Sequence, residues 1–200
     1  MNIISKALAD TTDDYLLAES EWDNGTRSDV VMEPKSLEQL RPIIIEVQSR
    51  VDDQFINRAI GYCLQPQQRY KVRPILLIIC TGSIASLPSK VAEESKKLAC
   101  SHNLPCCFWT AECFLISKTS LQTIETRPLN PLTALGIFLT HQSTSLTDSP
   151  HNTVTPIQHL YHLAESHYKT LLGKDEDLAD EFIRLCDSHN HDFDVILDYL

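Results

Sequence analysis

Positive charge is scarce in this chain. Seventeen lysines and arginines stand against 27 aspartates and glutamates, giving a net charge of −10 over 200 residues. That balance argues against a protein that grips nucleic acid over its whole surface, because such affinity comes largely from neutralising phosphates. Long apolar runs are scarce too. The most apolar stretch, Ile75 to Cys80, is far too short to cross a bilayer, so no membrane partner is expected. The opening MNIISKALADTTDDYLL lacks a basic start followed by a long apolar run, and no secretory leader is predicted. Seven cysteines, an odd number with no C-x-x-C pair, point to free thiols in a reducing, intracellular compartment, nuclear or cytoplasmic alike. No internal repeat, phosphate-binding glycine loop, dinucleotide fingerprint or nucleophile elbow is present.

The charge that is present is unevenly spread. Acids gather near the start (Asp10, Asp13, Asp14, Glu19, Glu21, Asp23) and again in the tail (Asp175, Glu176, Asp177, Asp180, Glu181). Between Lys35 and Arg73 the sign reverses, with Lys35, Arg41, Arg50, Arg58, Arg69, Lys71 and Arg73 against Glu38, Glu46, Asp52 and Asp53. Any contact with DNA is expected there.

The same region carries the most informative pattern. A short β-prone run at Ser28 to Met32 holds Asp29, and Pro34 is expected to stop it. Pro42 opens a second strand, Ile43 to Gln48, which carries Glu46 and Gln48. A strand has a side-chain period of two, so Glu46 and Gln48 share one face and Ile45 and Val47 the other. Ile44 shares the polar face, which makes a simple solvent-facing side a poor account of it. A buried carboxylate normally pairs, shifts its pKa or binds a metal. From Asp52 the period becomes helical: Phe55, Ile56, Ala59, Ile60, Cys63 and Leu64 form an apolar face, Asp52 or Asp53 caps the start, and Pro66 is expected to end the helix. Gln54, Arg58 and Tyr62 follow at steps of four on the polar side.

Elsewhere the reading is coarser. A helix is expected around Asp13 to Glu21 and a doubly buried strand over Arg73 to Thr81, broken at Thr81-Gly82. Further expectations are a helix from Pro88 to Cys100, a β segment from Cys106 to Ile116, and a helix from Leu132 to His141. Residues 143–155, rich in Ser, Thr and Pro, read as a flexible linker. Acidic amphipathic helices are expected over 156–172, 175–187 and 191–199. The predicted class is therefore α/β, a central mixed sheet flanked by helices over 1–142, with a helical extension over 156–200.

Two carboxylates on neighbouring strands can meet at one Mg²⁺ ion, and phosphodiester hydrolysis needs such oxygen ligands beside an oriented water. The ordered set of Arg27-Ser28-Asp29-Val30, Ile45-Glu46-Val47-Gln48-Ser49, Phe55-x-x-Arg58-x-x-x-Tyr62 and the segment YKVRPILLIICT resembles the PD-(D/E)XK nuclease superfamily. It is most similar to the recombination-promoting nuclease and transposase-like branch, in which glutamine commonly replaces the lysine. The likeness covers roughly residues 19–125 and implies a restriction-endonuclease-like core. It also implies a Mg²⁺- or Mn²⁺-dependent DNA endonuclease, with a homodimer as a reasonable assembly. Asp29, Glu46 and the Val47 carbonyl would hold the metal, Gln48 would take the lysine's place, and Gln54, Arg58 and Tyr62 would support the site or contact phosphate. The alternative is a catalytically inactive protein of the same fold, working as an interaction module with a protein partner on its C-terminal helices. Gln48 and the acidic charge favour it.

Two other ligand groups read as structural. Cys100, His102, Cys106, Cys107 and Cys113 lack zinc-knuckle spacing, and Cys106 to Trp109 reads as buried strand. His159, His162, His167, His189 and His191 read as solvated residues of the tail.

Overall fold

The computed structural model describes residues 3–122, 128–143 and 145–172. In chain order the elements are α1 (Ile3–Ala9), β1 (Tyr15–Ala18), β2 (Val30–Pro34), β3 (Ile43–Val51), α2 (Asp53–Tyr70) and β4 (Ile75–Ile84). Then follow α3 (Ser86–Val91), β5 (Glu93–Glu94), β6 (His102–Asn103), β7 (Glu112–Ser117), α4 (Lys118–Gln122), α5 (Pro131–His141) and α6 (Thr155–Leu172). Among the described residues, seven strands form one open mixed sheet in the order β1-β2-β3-β4-β7-β6-β5, with helices on both faces.

β1, β2 and β3 make an antiparallel meander; α2 then crosses over and returns the chain as β4, parallel to β3. The Ile75–Cys80 run is fully apolar because β4 is central and both its faces are covered. On one face Ile43, Ile45, Leu77, Ile79, Phe114 and Ile116 meet α1, α5 and α6. On the other, Ile44, Leu76, Ile78 and Leu115 meet Phe55, Ala59, Tyr62 and Cys63 of α2, with Trp22 alongside. α5 is wedged so tightly that a Cβ at Gly136 would come within 2.9 Å of Ile116 Cγ2.

Several sequence expectations need correction. The segment read as a helix over Asp13 to Glu21 is edge strand β1, because Tyr15 to Ala18 pair with Val31 to Pro34. Pro34 ends β2 from inside it. Helix α2 passes through Pro66 and stops at Lys71, whose left-handed cap N–H bonds the Gln67 carbonyl at 3.1 Å. An interior proline forgoes one backbone bond and costs about 3 kcal/mol, here against a ring buried in the packing of α2. β4 likewise continues past Thr81-Gly82. The β3–β4 register slips there by one residue, and a Cβ on Gly82 would lie 2.3 Å from the Ser49 carbonyl oxygen. Glycine permits a bulge at that point.

The helix expected over Pro88 to Cys100 shrinks to α3, followed by β5 and a turn, since of its apolar residues only Pro88, Leu98 and Cys100 are buried. Cys106 to Trp109 is a turn with Phe108 exposed, and the strand begins only at Glu112. The stretch read as a linker packs down: Leu146 and Val154 lie against the core that Ile157 and Leu160 of α6 enter. Composition marks its polarity and misses those anchors. The helices expected over 175–187 and 191–199 lie outside the described residues.

Candidate functional site

The β2–β3 register pairs Val30 with Ile45, so one further step sets Asp29 opposite Glu46. The period-two reading of β3 holds. Ile43 and Ile45 belong to one core and Ile44 to the other, which puts Glu46 and Gln48 on the face beneath α2. Glu46 is 1% exposed, while Asp29 and Gln48 beside it are partly buried.

Asp29 stands just before β2 begins, and its Oδ2 accepts the Val47 N–H at 2.7 Å. Its own N–H donates weakly to Glu46 Oε1 at 3.4 Å. The N–H and C=O of a strand residue point to the same side, so the Val47 carbonyl lies on the edge that Asp29 occupies. Burial and the Asp29 charge together push the Glu46 carboxyl up to about 8. Arg58 and a hydrogen bond from Ser28 oppose that rise.

Helix α2 supplies the other wall. Asp52 Oδ1 accepts the Phe55 N–H at 2.9 Å and fixes the helix start. One turn later Arg58 lies over the Phe55 ring, 5.4 Å from its centroid, and donates to Gln48 Oε1 at 3.1 Å. Helical spacing puts Tyr62 on the polar stripe, yet it is buried and hydrogen-bonded to Arg58. Burial, followed by the Glu46 charge, raises its hydroxyl pKa. Gln54 remains exposed on the outer side of the helix.

Asp29, Glu46, Gln48, Arg58 and Tyr62 are thus brought together; Gln54 is not part of the cluster. Ser28 and Trp22 also belong to it, and sequence reasoning gives neither a role there. Ser28 is buried, bonds Glu46 and accepts the Trp22 indole N–H at 2.9 Å. The available signal was a serine beside the acid, preceded by a tryptophan in an otherwise polar turn.

No protein-family model, curated protein or solved structure matches this chain. The chemistry of the site therefore rests on its donors. Among the described residues no set of three or more His, Cys, Asp or Glu side chains is arranged to hold a metal, and the cysteines and His102 form no such centre. The carboxylate pair still suits a hard divalent cation, which takes oxygen donors and readily keeps waters in its remaining positions. Two neighbouring acids, one of them buried, are also an unfavourable arrangement that a cation between them relieves. Two carboxylates are oxygen donors of the kind that Mg²⁺ or Mn²⁺ takes. Among the described residues, no helix is long and apolar enough to span a membrane.

Proposed function

We propose that this protein is a Mg²⁺-dependent DNA endonuclease with a restriction-endonuclease-like core of the PD-(D/E)XK type. The observation that carries the reading is the opposition of Asp29 and Glu46 on one face of the sheet, under a helix whose Arg58 holds Gln48. The open mixed sheet, with its antiparallel meander, crossover helix and parallel strand, supports that reading.

In this reading Asp29, Glu46 and the Val47 carbonyl would hold the ion. Bound there, the ion would supply a more acidic water and a Lewis acid for the scissile phosphate. Gln48, its Oε1 held by Arg58, would offer its amide N–H groups to orient the attacking water. Arg58 contributes the positive charge that a lysine at position 48 would otherwise bring to the developing phosphorane. Tyr62 and Phe55 hold the guanidinium in place.

The test is calorimetric titration with Mg²⁺ and Mn²⁺, paired with cleavage of supercoiled plasmid DNA. Wild type should bind metal and nick the plasmid, and the Asp29→Ala/Glu46→Ala protein should do neither. Wild-type-like cleavage by Glu46→Ala alone would falsify the assignment. A second reading rests on the neutral amide of Gln48: the fold is kept as a binding module without catalysis. Metal binding with no cleavage of DNA or RNA would put that reading first.

A further inference from the structure

The outer edge of the sheet at β1 has features that the carboxylate site does not use. Tyr15 anchors the strand, buried and donating its hydroxyl to the Arg41 carbonyl at 2.7 Å. Beyond it Leu16 and Leu17 are 61% and 52% exposed, one on each face of the sheet. The Asp14 carbonyl accepts from Lys35 and the Ser20 carbonyl from Ser28, so even-numbered residues of this strand face β2. The backbone N–H and C=O of Tyr15 and Leu17 therefore point outward, and among the described residues no hydrogen bond reaches them.

Charge frames this edge. Asp13, Asp14, Glu19 and Glu21 flank the two leucines, all are exposed, and none is in an ion pair among the described residues. Flanking charge is a common defence of an exposed edge against its own kind. A second copy pairing antiparallel across Leu16 and Leu17 would set one acidic flank against the other. Residues 173–200, with nine acids and two bases, are equally mismatched.

We infer that β1 is a docking edge for an extended peptide segment of another protein, with two or more central apolar residues flanked by Lys or Arg. Such a segment adds a strand to the sheet. It takes its hydrogen bonds from Tyr15 and Leu17, covers both leucines, and pairs its bases with the acidic flanks. This inference does not depend on the nuclease reading, because β1 contributes no residue to the carboxylate site.

The probe is a fluorescein-labelled Lys-Arg-Val-Ile-Val-Ile-Lys-Arg peptide, titrated with the full chain in EDTA and followed by polarisation. Saturable binding that weakens with salt is expected, together with slowed amide exchange at Tyr15 and Leu17. Leu17→Pro removes an outward N–H and leaves the bonds to β2 in place, so it should weaken binding about tenfold or more, with the melting temperature nearly unchanged. Glu19→Gln/Glu21→Gln should weaken binding less and flatten the salt dependence.

Absence of saturable binding, equal binding by Leu17→Pro, or equal binding of a Glu-flanked peptide would each overturn the proposal. A concentration-dependent dimer lost in Leu17→Pro would overturn it in favour of a second copy.

Discussion

Strand β3 looks two ways. Toward α1, α5 and α6 it presents Ile43 and Ile45 to a core of aliphatic and aromatic side chains. Toward α2 it presents Ile44 and then Glu46 and Gln48, so the second core gives way to polar side chains. One strand thus serves a dry layer that holds the fold and a mixed layer that holds a buried acid. The difference lies in what may be substituted: the dry face tolerates only shape-preserving changes, whereas the α2 face keeps a group that folding alone disfavours. A local conflict of that kind is expected at functional or strained sites.

The comparison breaks most visibly with pH. Glu46, pushed up to about 8 from an ordinary 4.5, stays protonated in the folded chain where the unfolded chain has already ionised. Its contribution is complete below about 4.5 and disappears as pH rises through about 8. Metal-free stability, followed by urea melts, should fall across that window by several kcal/mol, because each tenfold change in proton affinity is worth ~1.4 kcal/mol. Saturating Mg²⁺ should restore much of the loss at the alkaline end. In Glu46→Gln both the decline and the Mg²⁺ response should vanish; a decline that survives would assign it to other groups.

On the opposite face the expectation inverts. Leu135, fully buried in α5, touches no titratable group of the site. Leu135→Ala should destabilise the chain by about 3 kcal/mol through lost burial and a residual cavity. Metal affinity per folded molecule should stay at the wild-type value. A large drop in that affinity would mean the two layers are coupled through the sheet.

The sequence carries these two layers unequally. The parity of β3, an aspartate cap at Asp52 or Asp53 and the doubly buried β4 follow from local chemistry and are legible in it, and the structure picks Asp52. β1 is not: Tyr15-Leu16-Leu17-Ala18 suits a helix as well as a strand, and only pairing with β2 decides it. Pro66 and Gly82 read as stops because their usual roles are local, yet tertiary packing and a bulge absorb both. Tyr62 reads as part of the polar stripe because helical spacing fixes its angle and says nothing about how far α2 is rolled onto the sheet. The buried set Phe55, Ala59, Tyr62, Cys63 and Pro66 records that roll. Ser28 gives only a faint local signal, since its value depends on Trp22 folding back over it.

The smallest effect on stability separates a residue that braces the carboxylate site from one that acts in it. Arg58 is exposed, so Arg58→Ala should lower unfolding free energy by only about 1 kcal/mol, through its lost contacts with Gln48, Phe55 and Tyr62. Its guanidinium is nevertheless the cation beside Gln48, and removing one donor to a developing charge typically lowers turnover about 10²-fold. Arg58 also eases ionisation of Glu46, yet it repels any cation bound beside it. Mg²⁺ affinity in Arg58→Ala should therefore hold or rise while plasmid nicking falls. Arg58→Lys should recover part of the rate, because it returns the charge without the guanidinium N–H that meets Gln48 Oε1. If affinity and turnover fall together in Arg58→Ala, the residue is only a brace for β3. The positive charge of the reaction would then have to come from somewhere other than α2.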